Sequence, residues 1–341
     1  MKKAAVVILN WNGKKLLEEF LPSVVRYTTL PDVEIVVADN GSTDDSVSFL
    51  RSAYPQIRII IMSENYGFAE GYNKALKEVN AEYFILLNSD VEVTENWLVP
   101  MIEYLDNHQD VAACQPKILS QRNKAYFEYA GASGGFLDKY GYPFCRGRIF
   151  MSIEEDKNQY DSPKDILWAT GACLVMRAED FVGSGGFDGS FFAHMEEIDL
   201  CWRLNTRGRR IVCLPVSKVY HVGAATLKKE SPRKTFLNFR NNLIMLYKNL
   251  PQHRLKRTMI IRLILDYIAA LEFTITGKFK NAKEVIKAHK EFYNNRKQYR
   301  CARQENLKKM VNPKPHTIYY KSILAAYYIK QIKVFYKLDK S

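Results

Sequence analysis

The chain has 341 residues and a formal net charge of +13. This length suits one large domain with an appendage, and no uninterrupted apolar run reaches the roughly 18 residues that a membrane-spanning helix needs. The charge is uneven, because residues 231–341 contain 25 Lys or Arg and six Asp or Glu and therefore carry +19. Residues 1–230 carry −6, so a basic tail follows an acidic body.

The cysteines and the N-terminal segment bear on the cellular compartment. The six cysteines form neither a CxxC pair nor a Cys/His cluster at zinc spacing. This argues against a zinc site and favours a reducing compartment, although an even number leaves disulfides open. The first apolar run, residues 4–9, is too short for the hydrophobic region of a signal peptide. We therefore expect a cytoplasmic protein.

The first 115 residues alternate between strand and helix patterns. Short apolar runs predict strands, and apolar residues three or four apart predict helices. The predicted strands are residues 4–9, 34–38, 58–62, 83–87 and 111–115, and the predicted helices are residues 14–27, a segment ending near 53 that Ser42 or Thr43 would cap, 67–79 and 96–107. Such alternation indicates βαβ units and hence an α/β fold with a mostly parallel, doubly wound sheet.

The pattern becomes less regular after residue 120. A long insertion of loops and short strands is predicted for residues 120–165, followed by a strand at 166–177, a helix at 195–208 and a strand at 210–214. Beyond residue 223 the sequence is helical and basic in character. Met259–Thr276 and Ile318–Leu338 resemble amphipathic helices with a wide apolar face. Basic amphipathic helices are typical of membrane surfaces, and packing on the rest of the chain is the alternative.

The fourth predicted strand ends in a polar cluster. Residues 83–87 fit a strand buried on both faces, and Asn88-Ser89-Asp90 follows it directly. Open α/β sheets bind ligands at the carboxyl ends of their strands. Asp90 offers oxygen ligands for a divalent ion that could bridge the phosphates of a nucleotide. The structural alternative is a strand followed by an Asx-turn.

The first two predicted strands end in the same way. Asp39 closes the second strand, where its carboxylate could accept a hydrogen bond from a pyrimidine N–H or a ribose. Asn10 and Trp11 close the first strand and could line a base pocket. An N-cap role for Asp39 and a core position for Trp11 are the alternatives.

A second polar cluster begins the helix predicted near residue 195. Glu196, Glu197 and Asp199 place three carboxylates in one turn, with Glu196 and Asp199 as i, i+3 neighbours. Acids there also complement the helix dipole. The residues before them are apolar, and a carboxylate beside apolar walls holds its proton more tightly, as a general base requires. His221 follows another strand and could bind the same metal, although a lone His is more often structural.

Seven stretches in order resemble family 2 glycosyltransferases of the GT-A fold, particularly their bacterial rhamnosyltransferase-like branch. They span nearly all of residues 1–230: VVILNWNG (6–13), VVADNGSTDDS (36–46), ENYGFAEGYNKAL (64–76), FILLNSDVEV (84–93), ATGACLVMR (169–177), GGFDGSFFAHMEEIDLCWRL (185–204) and VYHVGAAT (219–226). The resemblance implies a GT-A nucleotide-sugar-binding catalytic domain at 1–230. It is followed by a basic helical extension at 231–341, for which membrane association is one expectation and packing on the catalytic domain the other.

The resemblance also implies inverting transfer of a sugar from a nucleotide diphosphate donor, dTDP-rhamnose or a UDP-hexose, to an acceptor hydroxyl in cell-surface polysaccharide assembly. Mg²⁺ or Mn²⁺ would assist. Asp39 matches the acid beside the base, and Asn65 and Gly67 match the loop beside the nucleotide. The metal-binding DxD motif corresponds to Asn88-Ser89-Asp90, and the late histidine corresponds to His221.

The general base implied by the resemblance is Glu197, with Glu196 as a competing candidate. This position is Glu where Asp is common, which lengthens the reach by one methylene. Asn88 stands at the first position of the DxD motif, which leaves Asp90 as its only charged ligand. Gly171 and Ala172 are small residues that would let a substrate approach the backbone.

Two other functions are compatible with the sequence. The basic tail would suit nucleic acid, but no nucleic-acid-binding motif accompanies it and the body is acidic, so we expect no nucleic-acid partner. Because Asn88 replaces the first acid of the DxD motif, a protein that binds a sugar nucleotide without catalysis is the second alternative. P-loop, dinucleotide and nucleophile-elbow motifs are absent. We expect a glycan or lipid-linked acceptor and peripheral attachment to the inner face of the bacterial cell membrane, with an anionic membrane surface as partner.

Overall fold

The computed structural model describes residues 1–223 and 231–338; the end of the last motif, residues 224–226, and residues 339–341 of the tail lie outside this range. Within it the strands are β1 (Lys2–Asn10), β2 (Val33–Asp39), β3 (Arg58–Ile61), β4 (Ala81–Asn88), β5 (Val91–Val93), β6 (Val111–Ser120), β7 (Gly135–Asp138), β8 (Pro143–Cys145), β9 (Arg148–Ile149), β10 (Ser152–Ile153), β11 (Lys164–Ile166), β12 (Cys173–Arg177), β13 (Arg210–His221) and β14 (Ile318–Tyr319).

Helices cover both faces of the sheet and form most of the tail. Their bounds are α1 (Lys14–Tyr27), α2 (Ser46–Ala53), α3 (Gly67–Lys77), α4 (Val99–Asn107), α5 (Ala178–Ser184), α6 (Glu196–Thr206), α7 (Pro232–Asn249), α8 (Gln252–Ile275), α9 (Phe279–Asn295) and α10 (Arg300–Lys308). Among residues 1–223 and 231–338, no helix is both long and apolar enough to cross a membrane.

The central sheet has nine strands, of which six run in one direction and three, β5, β11 and β12, run against them. Its main path runs β11-β13-β6-β12-β4-β1-β2-β3, and β5 pairs with β13. β1 is parallel to both β2 and β4, whereas β12 runs antiparallel to β4 and β6. Alternate residues of β1 enter different core clusters, Ala4, Val6 and Ile8 on one face and Ala5 and Val7 on the other. The sheet is therefore buried on both faces, as expected for a doubly wound fold.

Most predicted elements of the first 115 residues are confirmed within a few residues. One predicted cap is wrong, because α2 begins at Ser46 and not directly after Ser42 or Thr43. The Asn12 side chain accepts hydrogen bonds from the backbone N–H of Thr43 (2.7 Å) and of Asp44 (3.2 Å). These contacts hold the segment as a loop against the end of β1.

The insertion at residues 120–165 forms short strands, as predicted. They build a second sheet of order β10-β9-β8-β7-β14, whose last strand comes from the tail. The predicted strand 166–177 is interrupted, since β11 ends at Ile166 and β12 begins at Cys173. Side chains hold the intervening loop in place: Gln115 accepts from Thr170 N at 3.0 Å, and Asn205 donates to Leu167 O at 3.0 Å.

In the tail, the helix predicted at Met259–Thr276 is confirmed as part of α8, but a helix at Ile318–Leu338 is wrong. That segment holds β14, one π-helical turn at Ala325–Ile329 and a short 3₁₀ turn at Phe335–Lys337. Its aromatic rings pack on the insertion, with ring centroids of Phe335 and Phe136 5.1 Å apart. Aromatic packing between distant segments therefore overrides the helical spacing of the sequence.

Candidate active site

The carboxyl ends of β1 and β2 lie side by side and hold a hydrogen-bonded pair. Asn10 Nδ2 donates to Asp39 Oδ2 at 3.1 Å, and Asp39 Oδ1 accepts from the backbone N–H of Ser42 at 2.9 Å. Asn10 and Asp39 are buried. Each carboxylate oxygen keeps a second lone pair, so Asp39 can still accept from a base or ribose. Asp39 does not cap α2, which starts seven residues later.

Trp11, next to this pair, is not a core residue. Its side chain is 43% exposed, so the core alternative is wrong. An exposed indole at the end of a strand offers a flat apolar surface to a planar ring. The structure therefore leaves the Trp11 indole accessible, and its contact with a base stays a prediction.

The loop before α3 packs against β2 and against the loop before α6. Asn40 Nδ2 donates to Asn65 Oδ1 at 3.1 Å and to Gly67 O at 2.9 Å. Gly67 has φ +76°, and a Cβ there would lie 2.5 Å from Phe192 O. That carbonyl accepts a hydrogen bond from Phe68 N at 2.6 Å. Only glycine allows this left-handed turn and close approach together, so the loop before α3 and the loop before α6 form one structure.

Asp90, which follows β4, and His221, which ends β13, lie next to each other at the carboxyl ends of their strands. His221 Nε2 lies 3.1 Å from Asp90 Oδ1 and 3.4 Å from Asn88 Nδ2, and both Asp90 and His221 are buried. Glu128 Oε2 lies 3.5 Å from Nδ1 on the opposite side of the ring. Burial opposes the charge of His221, but the two carboxylates outweigh it and raise the pKa of this imidazole to about 10. The structure therefore brings Asn88, Asp90 and His221 together, as predicted.

This trio suits a divalent cation with a small protein ligand set. A carboxylate oxygen and an imidazole nitrogen converge, and a second carboxylate faces the far ring nitrogen, an arrangement common around metal-bound histidines. Because the raised pKa keeps His221 protonated at neutral pH, its Nε2 could bind a cation only by giving up its proton. In the part of the chain that the structure describes, no group of three or more His, Cys, Asp or Glu could hold a metal by itself. Any cation there would thus need further ligands from substrate oxygens or water.

Glu196 and Glu197 begin α6 with unpartnered oxygens. The Oε2 atoms of both carboxylates are buried without a hydrogen-bond partner. Burial raises the pKa of Glu197 to about 7, and burial together with the charge of Glu197 raises the pKa of Glu196 well above its usual range. Unsatisfied buried carboxylates are costly and uncommon in native structures. A carboxylate that ionises near neutral pH and lacks a partner is suited to receive a proton.

Asp199, the third acid of this turn, has a different role. It is fully buried and accepts hydrogen bonds from Arg203 Nε (3.0 Å), Lys248 Nζ (2.9 Å) and Asn249 Nδ2 (2.8 Å). Two cations and an amide occupy its oxygens, so it joins α6 to the tail. It is a structural residue.

The run that leads into Glu196 has an unusual backbone. Phe192, His194 and Met195 have φ values of +63°, +71° and +75°, a region that L residues rarely adopt. Asn241 of α7 compensates for this conformation. Its Nδ2 lies 2.9 Å from Phe191 O, 2.9 Å from Ala193 O and 2.8 Å from His194 O. The amide of Asn241 thus contacts three carbonyls of the strained loop that leads into the two glutamates, and Arg240 beside it adds a bond to Phe191 O.

We expect Asn241→Leu to lower the turnover number on the order of tenfold or more while donor affinity stays unchanged, because misplacing a reacting group is costly. Asn306→Leu in α10 is the control, since Asn306 is also a buried amide of the tail and its Nδ2 donates to Asn249 Oδ1 (3.2 Å). Both variants lose a buried amide contact and should lose similar stability in thermal melts. Equal turnover in the two variants would contradict a positioning role for Asn241.

Residues 167–172 contact both the end of β4, where Asn88 lies, and helix α6, which begins with the two glutamates. Asn88 N donates to Ala172 O at 3.0 Å, and Cys201, one turn after Glu197, contacts the backbone of Ala169. Gly171 is packed, because a Cβ there would lie 2.7 Å from the ring of Phe68. In this structure, the space left by the missing side chain of Gly171 is filled by the ring of Phe68, and not by open space for a substrate.

Several residues of the site were not predicted. Asn12, Asn40 and Glu128 contact the predicted residues, and Asn241 lies in the tail. Asn12 and Asn40 stand within three residues of predicted strand ends, a signal that could have found them. Glu128 and Asn241 lie in irregular or helical sequence without such a signal.

Comparison with known proteins agrees with the geometry. A family model described as "Glycosyl transferase family 2" matches residues 5–179, more than half of the chain. The chain is similar to the N-acetylglucosaminyl-diphospho-decaprenol L-rhamnosyltransferase of Mycobacterium tuberculosis, with 25% identity over 230 residues, 63% of this chain and 75% of that protein.

Two solved structures show a similar fold. The crystal structure of S. aureus TarS 1-349 in complex with UDP-GlcNAc has a TM-score of 0.57 and 15% identity, and the match covers 96% of this chain and 92% of that one. The mannosyltransferase PcManGT from Pyrobaculum calidifontis, in complex with GDP-Man and Mn²⁺, has a TM-score of 0.52 and 14% identity, with coverage of 90% and 84%. The GT-A type of α/β fold is thereby confirmed. The chain belongs to glycosyl transferase family 2 and is a glycosyltransferase of glycan biosynthesis, similar to rhamnosyltransferases.

Proposed function

We propose that this enzyme transfers a sugar from a nucleotide diphosphate sugar to an acceptor hydroxyl with inversion at the anomeric carbon. The observation that carries the proposal is the division of the site: a buried Asp90–His221 pair at one end and two unpartnered glutamates, Glu196 and Glu197, at the other. Inversion needs the base on the sugar face opposite the leaving group, and separate segments supply the two functions.

The nucleotide end of the site would bind the donor. Asp39 and Asn10 offer hydrogen-bonding groups for the base and ribose, Trp11 offers a flat surface, and Asn65 and Gly67 border the same space. Similarity to a rhamnosyltransferase favours dTDP-rhamnose as donor, with a UDP-hexose as the alternative.

Asp90 and His221, with Asn88 beside them, would hold Mg²⁺ or Mn²⁺ together with oxygens of the donor diphosphate. PcManGT, which shares the fold, was crystallised with Mn²⁺. When bound, the cation stabilises the negative charge of the leaving diphosphate as a Lewis acid. Glu197, with Glu196 as the competing candidate, would accept the proton of the acceptor hydroxyl at a carboxylate oxygen.

The acceptor would be a glycan or a lipid-linked sugar at the inner face of the bacterial cell membrane. The rhamnosyltransferase of M. tuberculosis carries a diphospho-decaprenol in its name, and the tail of this chain is strongly basic. Polybasic segments gain about 1 kcal/mol per Lys or Arg near an anionic leaflet. Peripheral attachment would bring the enzyme to a lipid-linked acceptor.

A thermal-shift screen of nucleotide sugars with Mn²⁺ tests the donor. We expect dTDP-rhamnose to raise the melting temperature more than UDP-hexoses do, and slow hydrolysis of the stabilising donor to release the sugar. The matched control is Asp39→Asn, which keeps the shape but removes the charge beside the base. No shift with any nucleotide sugar, or equal shifts in the control, would contradict the proposed donor site.

A further inference from the structure

Helix α8 packs with its charged side inward. Arg262 and Asp266 are 2% and 0% exposed, and Arg262 Nη2 lies 3.0 Å from Asp266 Oδ1. His289 of α9 and Tyr142 of the insertion also contact Asp266, at 2.9 Å and 3.2 Å. The polar stripe therefore fixes α8 to the body of the protein.

The opposite side of α8 is apolar and faces outward. Its residues recur at helical spacing and are 44–77% exposed: Ile260, Ile264, Tyr267, Ile268, Leu271 and Ile275. A soluble helix normally shows the reverse pattern, with its apolar stripe in the core. Contiguous exposed apolar residues of this kind mark an interaction surface. We call these six residues the outer face of α8.

Basic groups adjoin the outer face. At 100° per residue, His253, Lys256 and Arg257 lie on the same side of the helix in its first two turns, and all three are exposed. The next helix, α9, packs against α8 and exposes Lys280, Lys283 and Lys290. Glu272, at the edge of the outer face, is the one exposed acid in the described helix α8.

We propose that the outer face of α8 lies flat on an anionic bilayer, with its isoleucines at the boundary of the acyl chains and its basic groups on the headgroups. Charge favours this occupant over a second copy of the chain, because two copies each carry +13 and repel, whereas anionic lipid attracts. The inference deepens the proposed function by naming the surface that reaches the membrane, but the binding itself does not depend on the donor or the acceptor.

Flotation of the full-length protein with vesicles tests the proposal. We expect binding to phosphatidylglycerol vesicles and little binding to phosphatidylcholine vesicles. Ile264→Glu with Ile268→Glu should lower partitioning to phosphatidylglycerol at least tenfold. The matched control is Val182→Glu with Val216→Glu, which adds the same charge at two other exposed apolar residues (69% and 71% exposed) and should retain most binding.

The outcomes separate this inference from the proposed activity. Donor hydrolysis should be equal in the α8 variant and in wild type, since the outer face lies outside the active site. Equal flotation of the α8 variant and its control would overturn the inference even if the enzyme is active. So would a dimer in solution that the α8 variant converts to a monomer while wild type binds neither vesicle, because the outer face would then serve a second copy of the chain.

Discussion

Glu197→Gln should lose sugar transfer by about 10²-fold or more, because general-base assistance is typically worth ~10²–10⁴-fold. The amide keeps the shape of the side chain but cannot accept a proton from the acceptor hydroxyl. Initial rates of product formation at saturating donor and acceptor would measure the loss. Donor affinity by calorimetry should stay close to that of wild type, since the proposed nucleotide site lies on other segments.

Glu196→Gln is the internal control for this assignment. It removes the neighbouring carboxylate, whose buried Oε2 also lacks a partner. If Glu197 is the base, Glu196→Gln should retain the larger share of activity. A larger loss in Glu196→Gln than in Glu197→Gln would transfer the role to Glu196.

The pH dependence of wild type follows from the same carboxylate. The pKa of Glu197 is raised to about 7 by burial, and the base must be ionised, so activity should fall as the pH drops below about 7. A raised carboxyl pKa also means that the folded state binds the proton more tightly than the unfolded chain. At pH values above the pKa of an unfolded glutamate, ionisation of Glu196 and Glu197 therefore lowers the free energy of unfolding. This destabilisation disappears as the pH falls. Glu197→Gln should accordingly melt at or above the wild-type temperature at pH 8, which separates lost chemistry from lost structure.

Asp90→Ala should abolish metal-dependent donor binding. Asp90 supplies the carboxylate oxygen that faces His221 Nε2 at 3.1 Å, and Asn88 is uncharged, so the trio would retain no acidic ligand. Calorimetry with the donor nucleotide, with and without Mn²⁺, should show enhancement by the metal in wild type and none in the variant. Unchanged Mn²⁺-dependent affinity in Asp90→Ala would reject Asp90 as the ligand.

Asp44→Ala is the matched control for that experiment. Asp44 lies in the loop at the nucleotide end, where its carboxylate accepts from the backbone N–H groups of Lys14 and Ser46 at 3.1 Å. Its removal should leave the metal enhancement intact. Loss of enhancement in both variants would point to general damage to the sheet edge.

The central part of the site was predictable because of how parallel sheets are built. Asn10, Asp39 and Asn88 each end an apolar strand, and parallel strands present their carboxyl ends at one edge. The register pairs Asn10 with Asp39 and Leu9 with Asn88. Local sequence thus sufficed to bring these side chains together, while the roles assigned to them remain predictions for experiment.

The residues that escaped prediction depend on distant contacts. Nothing local distinguishes Asn241 from its neighbour Asn242. Only the folded chain shows that Asn241 donates to backbone carbonyls of the loop before Glu196, while Asn242 donates to Gly141 O of the insertion and contacts the sulfur of Met195. The wrong helix at Ile318–Leu338 has the same origin, since its rings pack against residues about 200 positions earlier. The predicted caps at Ser42 and Thr43 failed because Asn12 binds that segment.

The contact between Asn241 and the loop before Glu196 limits how relatives can be recombined. The region matched by the family model ends at residue 179, before both glutamates and before α7. A chimera joined between Glu197 and α7 would combine the loop before the glutamates from one parent with the supporting amide from another, whereas a junction at residue 179 would take both from the same parent. Junctions beyond Asn249 would likewise keep the loop and its support from one parent, and so preserve the placement of both glutamates.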